Sequence, residues 1–240
     1  RKRVKGKSWN GVERAEGKTI VVTGANSGIG KALSEEFLRR GAKRVILACR
    51  NEGRANEAKR DMIQAGHDES RIFIELIDLM SFSSVSQCAQ RIVKKFDSVD
   101  ILVCNAGLMR AGGLTENGIE SILQANYLGH FLLSESLLKK TKIGRIVFVS
   151  SLAQKHSTSW SLLENIDNPV FQYCRSKLAE VCYAKYLAGQ GQVAFSCNPG
   201  VVHTNILSGT WLEFADVYFS PILNFFMKSP LDGAQTALKL

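Results

Sequence analysis

Thr19-Ile20-Val21-Val22-Thr23-Gly24-Ala25-Asn26-Ser27-Gly28-Ile29-Gly30 decides the fold of this 240-residue chain. A β-branched apolar run reads as a buried strand. A glycine turn follows, and helical periodicity then runs from about Ile29 to Arg40, where Gly41 closes it. The glycines permit a tight turn and let the backbone approach a pyrophosphate at the positive helix N-terminus. A glycine motif is informative only between a strand and a helix, and this one has that context. Gly24, Asn26, Ser27, Gly28, Ile29 and Gly30 are therefore candidate dinucleotide contacts.

Working outward, short β-branched runs alternate with helical segments. Strands are expected at Arg44 to Ala48, Ile72 to Ile77, Ile101 to Cys104, Arg145 to Ser150 and Val193 to Cys197. Helices are expected at Gly53 to Gln64, Val85 to Phe96, Gly118 to Lys139 and Phe171 to Leu187, with a late one near Leu240. Strict alternation implies right-handed crossovers: a doubly wound α/β fold, a Rossmann parallel sheet of six or seven strands with helices on both faces in three layers. The strands are continuous apolar runs, as strands covered on both faces must be. Residues 18–240 read as one catalytic domain, with 1–17 a basic N-terminal segment and 203–230 a substrate lid.

Composition sets the remaining bounds. Hydrophobic residues make up 45% and charged ones 22%, which excludes disordered and collagen-like classes. The net charge of +9 is concentrated at Arg1, Lys2, Arg3, Lys5 and Lys7. No zinc spacing or aromatic-basic repeat accompanies that run, so no nucleic-acid partner is expected. A basic run of this kind fits either a solvated tail or the cytoplasmic flank of a preceding membrane anchor. The six cysteines form no CxxC pair and several lie in apolar runs, so they read as buried free thiols. No metal site is expected.

The GxxxGxG spacing resembles that of the short-chain dehydrogenase/reductase family, and the resemblance continues in order along nearly the whole chain. Asp78-Leu79 after strand three is similar to the family's adenine contact. Asn105-Ala106-Gly107 after strand four is similar to its second cofactor-side turn. Pro199-Gly200, with Val202 and Thr204 following, is similar to its nicotinamide-side loop. An NAD site usually carries an acid at the end of strand two, to bond the ribose 2′-hydroxyl. Here Cys49 stands in that place and Arg50 follows, and a guanidinium suits a 2′-phosphate. NADP(H) is the expected cofactor.

Tyr173 and Lys177 lie four apart at the start of a predicted helix and so share a face. A phenol is a poor acid at neutral pH, with an ordinary pKa near ~10, unless a neighbouring ammonium stabilises its anion. The resemblance makes Tyr173 the proton donor and Lys177 its partner, with both also touching cofactor. It assigns Ser151, not Ser150, as the hydroxyl that bonds the substrate oxygen, and Asn126 as the holder of a proton-relay water. His130, His156 and His203 lack a nucleophile partner, so a hydrolase finds little support.

Several pieces resemble the retinol dehydrogenase branch most: the 47–50, 127–131, 173–177 and 233–236 segments and the insert from His156 through Asn168. That implies an apolar substrate such as a retinoid, steroid or lipid aldehyde, with a 3-ketosteroid reductase as the alternative. It also implies the cytoplasmic face of the endoplasmic reticulum. The aromatic stretch Trp211 to Met227 suits a lid over such a substrate, and equally a membrane-touching or domain-packed helix. Against the family pattern, a final strand and tail are expected beyond Leu240. A homodimer is left open, as is a catalytically silent scaffold.

Overall fold

The computed structural model describes residues 15–109, 113–157, 168–200, 202 and 228–240. Its centre is a six-stranded, all-parallel sheet in the order β3-β2-β1-β4-β5-β6. The strands are β1 (Thr19–Thr23), β2 (Arg44–Cys49), β3 (Ile72–Leu76), β4 (Val99–Cys104), β5 (Ile143–Val149) and β6 (Ala194–Cys197). Helices α1 (Gly28–Arg39), α2 (Glu52–Gln64) and α3 (Phe82–Lys95) cross between the first four strands. A short α4 (Ser121–Leu123) runs through a π-turn, Gln124–Leu128, into α5 (Gly129–Leu138), followed by α6 (Pro169–Gly189) and α7 (Pro230–Leu238).

Alternation along each strand divides the apolar side chains between two cores. Ile20, Val22, Val45 and Leu47 pack against Leu33 and Phe37 of α1, Met62 of α2 and Ala237 of α7. Val21, Ile46, Leu102 and Phe148 face the other way, onto α3, α5 and α6. Each fully buried aliphatic or aromatic side chain contributes about 1.5–3 kcal/mol of transfer free energy. The expected three-layer sandwich is what forms.

The boundaries differ from expectation where capping decides them. The helix expected from Gly118 starts three residues later, because Gly118 sits in a turn at φ 71°. Glu120 then caps the helix, its carboxylate accepting from the amides of Ile122 and Leu123 at 2.9 and 2.8 Å. Helix α3 begins before Val85 because the Ser81 hydroxyl accepts from the Ser84 amide. Strand β4 begins at Val99, which pairs with Ile143. The π-turn was not expected, and it places Gly129 against the loop after β3. A Cβ at Gly129 would lie 2.6 Å from the Leu79 carbonyl oxygen, so only glycine lets α5 approach this closely. Among the described residues, no helix is long and apolar enough to cross a membrane.

Candidate active site

Between β1 and β4 the strand order reverses, and a crevice opens beyond the carboxyl ends of the strands, where open α/β sheets bind ligands. The cleft here encloses about 640 Å³. Every residue expected at the site lines it except three. Gly30 and Asn126 stand directly behind its wall, and Thr204 lies outside the described residues, as do most of the 203–230 lid, residues 1–14 and residues 158–167.

The glycine loop is shaped by close approach. Gly24 and Gly28 adopt φ of 66° and 54°, a region that side chains with a Cβ avoid. A Cβ on Gly30 would strike the Gly24 carbonyl oxygen and lie 2.5 Å from Asn105 Nδ2. Among the described residues, no side chain caps α1, and no acid occupies its first turn. Helices α2, α3, α6 and α7, by contrast, all carry a side-chain cap. The positive end of α1 thus faces the cleft with its amides free of a side-chain acceptor, which fits a pyrophosphate.

At the end of β2, Cys49 is buried beneath this loop. Burial pushes its thiol up to about 11, against the pull of the Ala25 and Asn26 amides, so a neutral group occupies the place of a ribose-binding acid. Arg50 is exposed at the rim beside Asn51 and Arg54. Asn51 caps α2 by accepting from the Arg54 amide at 2.9 Å, which fixes the backbone from which Arg54 projects.

A buried polar seam joins the loop to the helices behind it. The Thr23 hydroxyl accepts from the amides of Asn105 and Ala106 at 2.9 and 3.0 Å, and Asn105 Nδ2 donates to the Thr23 carbonyl at 2.9 Å. The same hydroxyl lies 2.8 Å from His130 Nε2, and His130 Nδ1 is 2.7 Å from the Asn126 carbonyl. Asn126 Nδ2 donates to the Leu108 carbonyl and to Ser176 Oγ at 2.9 and 3.0 Å, and its Oδ1 accepts from the Leu108 amide at 2.8 Å. Both amide hydrogens of Asn126 are therefore committed to protein: one, with Oδ1, holds the turn at Leu108, and the other ties it to Ser176 of α6.

Tyr173 and Lys177 both face the cleft from α6, at 9% and 2% exposure. The ammonium lies 5.8 Å from the centre of the phenol ring. Lys177 Nζ donates to the Val149 carbonyl at 2.9 Å and to both oxygens of Glu180 at 2.9 and 3.2 Å. Burial alone would depress the ammonium, but Glu180 and Tyr173 outweigh it and hold the Lys177 pKa above the ordinary lysine value. Burial lifts the Glu180 carboxyl above its usual range while Lys177 pulls it back. The two serines differ. Ser150 Oγ donates to the Lys177 carbonyl at 2.8 Å, which spends its hydrogen. Among the described residues, Ser151 Oγ only accepts, from the Ala153 amide at 3.2 Å, so its hydrogen is available to the cleft.

The sequence model of the short chain dehydrogenase family matches residues 18–211. Mouse retinol dehydrogenase 14 is 36% identical over 93% of this chain and 73% of its own length. Mouse retinol dehydrogenase 13 is 37% identical over 93% and 71%. The chain is a short-chain dehydrogenase of the retinol dehydrogenase branch. As an oxidoreductase of this family it binds a nicotinamide cofactor and acts on alcohol or carbonyl groups. A short-chain dehydrogenase from Burkholderia cenocepacia in complex with NADP superposes with a TM-score of 0.69 at 25% identity, covering 95% of this chain and 90% of that one. One from Burkholderia phymatum in complex with NAD gives 0.71 at 21%, covering 94% and 86%. The shared fold therefore accepts either dinucleotide.

Three residues of this dehydrogenase's site escaped the sequence reading. Arg54 reads as a helix-surface cation, His130 as an isolated histidine, and Glu180 as a helix charge that would ordinarily face water. The spacing of Lys177 and Glu180, three apart on one helix face, was the available signal for the last.

Proposed function

We propose that this dehydrogenase uses NADP(H) to reduce the carbonyl of an apolar substrate, a retinoid, steroid or lipid aldehyde, or to oxidise the corresponding alcohol. The observation that carries the reading is the buried Tyr173–Lys177 pair, set beside a Ser151 hydroxyl whose hydrogen is unspent, in the cleft behind the glycine loop. When bound, the nicotinamide supplies or accepts the hydride. Tyr173 gives its phenolic proton to the substrate oxygen in the reductive direction and takes it back in the other. The positive charge of Lys177 favours the phenolate left behind. Ser151 donates to the same oxygen and stabilises charge developing there. Asn126 keeps the Gly107 turn beside Lys177, next to the path by which a relayed proton would arrive.

The choice of NADP(H) is supported by two rim arginines, Arg50 and Arg54, and by the neutral Cys49 where an acid would repel a 2′-phosphate. An apolar substrate is supported by the relatives' names and by Leu108, Met109, Ala153, Val170 and Cys174 in the cleft wall. A ketosteroid reductase would use the same groups. For the cellular site we retain the cytoplasmic face of the endoplasmic reticulum membrane, supported by the basic run at residues 1–7.

Oxidation of NADPH in the presence of a panel of retinals, ketosteroids and long-chain aldehydes tests the proposal. Turnover on at least one, lost in Tyr173→Phe with cofactor binding retained, is the expected result. Binding without turnover on any of them would make the protein a dinucleotide-binding scaffold instead.

A further inference from the structure

The Lys177 ammonium has three hydrogens and lies in a buried setting. One goes to the Val149 carbonyl and another is shared across the two oxygens of Glu180. Glu180 is wholly buried, one turn further along α6, and does not reach the cleft. A carboxylate buried this deeply needs a compensating charge or a proton. Among the described residues, the other titratable groups around the pair supply neither. Cys104 of β4 and Cys197 of β6 have thiols that burial pushes up, and His130 of α5 is held neutral by burial. Tyr173 completes the set, from the first turns of α6. Once Glu180 is ionised, above the value of about 7 to which burial raises it, Lys177 and Glu180 form a charge-neutral unit beneath the phenol.

We propose that Glu180 is a positioning residue that cancels the charge of Lys177, keeping Tyr173 in its protonated, proton-donating form and so setting the pH range in which the enzyme reduces. With Glu180 ionised, loss of the phenolic proton takes the buried trio from zero net charge to minus one. With a neutral residue at 180, the same loss takes it from plus one to zero, which low-dielectric surroundings favour. Glu180 thus opposes the acidifying action of the lysine and tunes the pair toward donation. In the reductive direction the phenol O–H bond breaks, the proton passes to the substrate oxygen, and solvent returns a proton to the phenolate. A higher proton affinity extends the pH range over which this donor is loaded.

This inference rests on Tyr173 being the acid, as proposed above. The test is an ultraviolet titration of the phenolate band, taken as the difference between the protein and its Tyr173→Phe counterpart. It needs no substrate, so absence of turnover, which sinks the enzyme reading, is distinguishable from an unmoved titration, which sinks this one. Glu180→Gln is expected to move the Tyr173 titration to lower pH by about one unit, and the kcat/KM profile for reduction by the same amount. Glu180→Asn, a second neutral replacement, is expected to move both in the same direction and serves if the Gln variant does not fold. Glu180→Asp keeps the charge and is expected to keep the wild-type midpoint. An unmoved or alkaline-shifted midpoint in the neutral variants overturns the proposal. So does an Asp variant that shifts as far as Gln, because geometry and not charge would then be responsible.

Discussion

The Thr23 hydroxyl and the His130 ring meet 2.8 Å apart in the buried seam between β1 and α5. Because that hydroxyl already accepts from two amides, it donates, and its hydrogen goes to Nε2 at 2.8 Å in preference to the Val103 carbonyl at 3.4 Å. Nε2 then accepts, and Nδ1 carries the proton that goes to the Asn126 carbonyl. The ring is therefore neutral in one defined tautomer. A charged ring would aim a second N–H at an oxygen with no lone pair left for it.

Acid stability follows from this. Burial drives the His130 pKa down to about 4 from 6.5. As pH falls, the unfolded chain takes up the proton first, so this contribution is complete above 6.5 and is lost between 6.5 and 4. At full effect it amounts to about 3 kcal/mol. Denaturant melts of wild type and His130→Gln across that range are expected to converge as the pH drops; a constant difference would show that His130 does not titrate there.

Cofactor choice is open to a charge reversal. Arg50→Glu is expected to weaken NADPH by about 10–100-fold, the loss of one charge-assisted contact, and to leave NADH within a few-fold. Arg54→Glu is expected to act in the same direction and more weakly, since it lies a turn further from the strand end. Fluorescence titration of each reduced cofactor gives both numbers. Equal losses for the two would remove both arginines from the 2′-phosphate site.

Two glycines make opposite predictions. Gly30→Ala places a methyl against the Gly24 carbonyl and the Asn105 amide, so the loop must open. Cofactor affinity is expected to fall at least about 100-fold, with about 1–3 kcal/mol lost in overpacking. Gly53→Ala, in the first turn of α2, meets its nearest neighbour at 3.4 Å and is expected to be neutral or to gain about 0.5–1 kcal/mol of helix stability. Melting temperature and cofactor titration distinguish them.

The paired serines separate chemistry from packing. Ser151→Ala is expected to cut kcat by about 10²–10³-fold with little change in melting temperature. Ser150→Ala removes a buried hydrogen bond and is expected to cost about 1 kcal/mol of stability while the chemical step survives. Single-turnover rates alongside thermal melts read both.

How far the sequence carried is itself instructive. Segments whose meaning is local were readable: the strand, turn and helix at 19–39, the alternation that builds the parallel sheet, and Tyr173 with Lys177 on one helical face. Groups whose meaning depends on distant partners were not. His130 looks isolated until Thr23, more than a hundred positions earlier, is brought beside it. Glu180 looks like a solvated charge because nothing in the local pattern says that this face of α6 is turned inward, its hydrophobic periodicity being broken by Gln172, Arg175 and Lys177, all buried. The π-turn leaves no trace in residue spacing, since it is a change of backbone register that a side chain, Asn126, spans by reaching Leu108. Arg54 reads as surface until the end of β2 is folded toward the glycine loop.

The end of β5 holds the partner of the acid twice. Val149 accepts from the side chain of Lys177, and Ser150, one residue on, bonds the same lysine's carbonyl. Two bonds from the end of β5 to one residue of α6 thus fix the register of the helix against the sheet. A disturbance at the end of β5 would therefore be transmitted to the proton donor on the same helix.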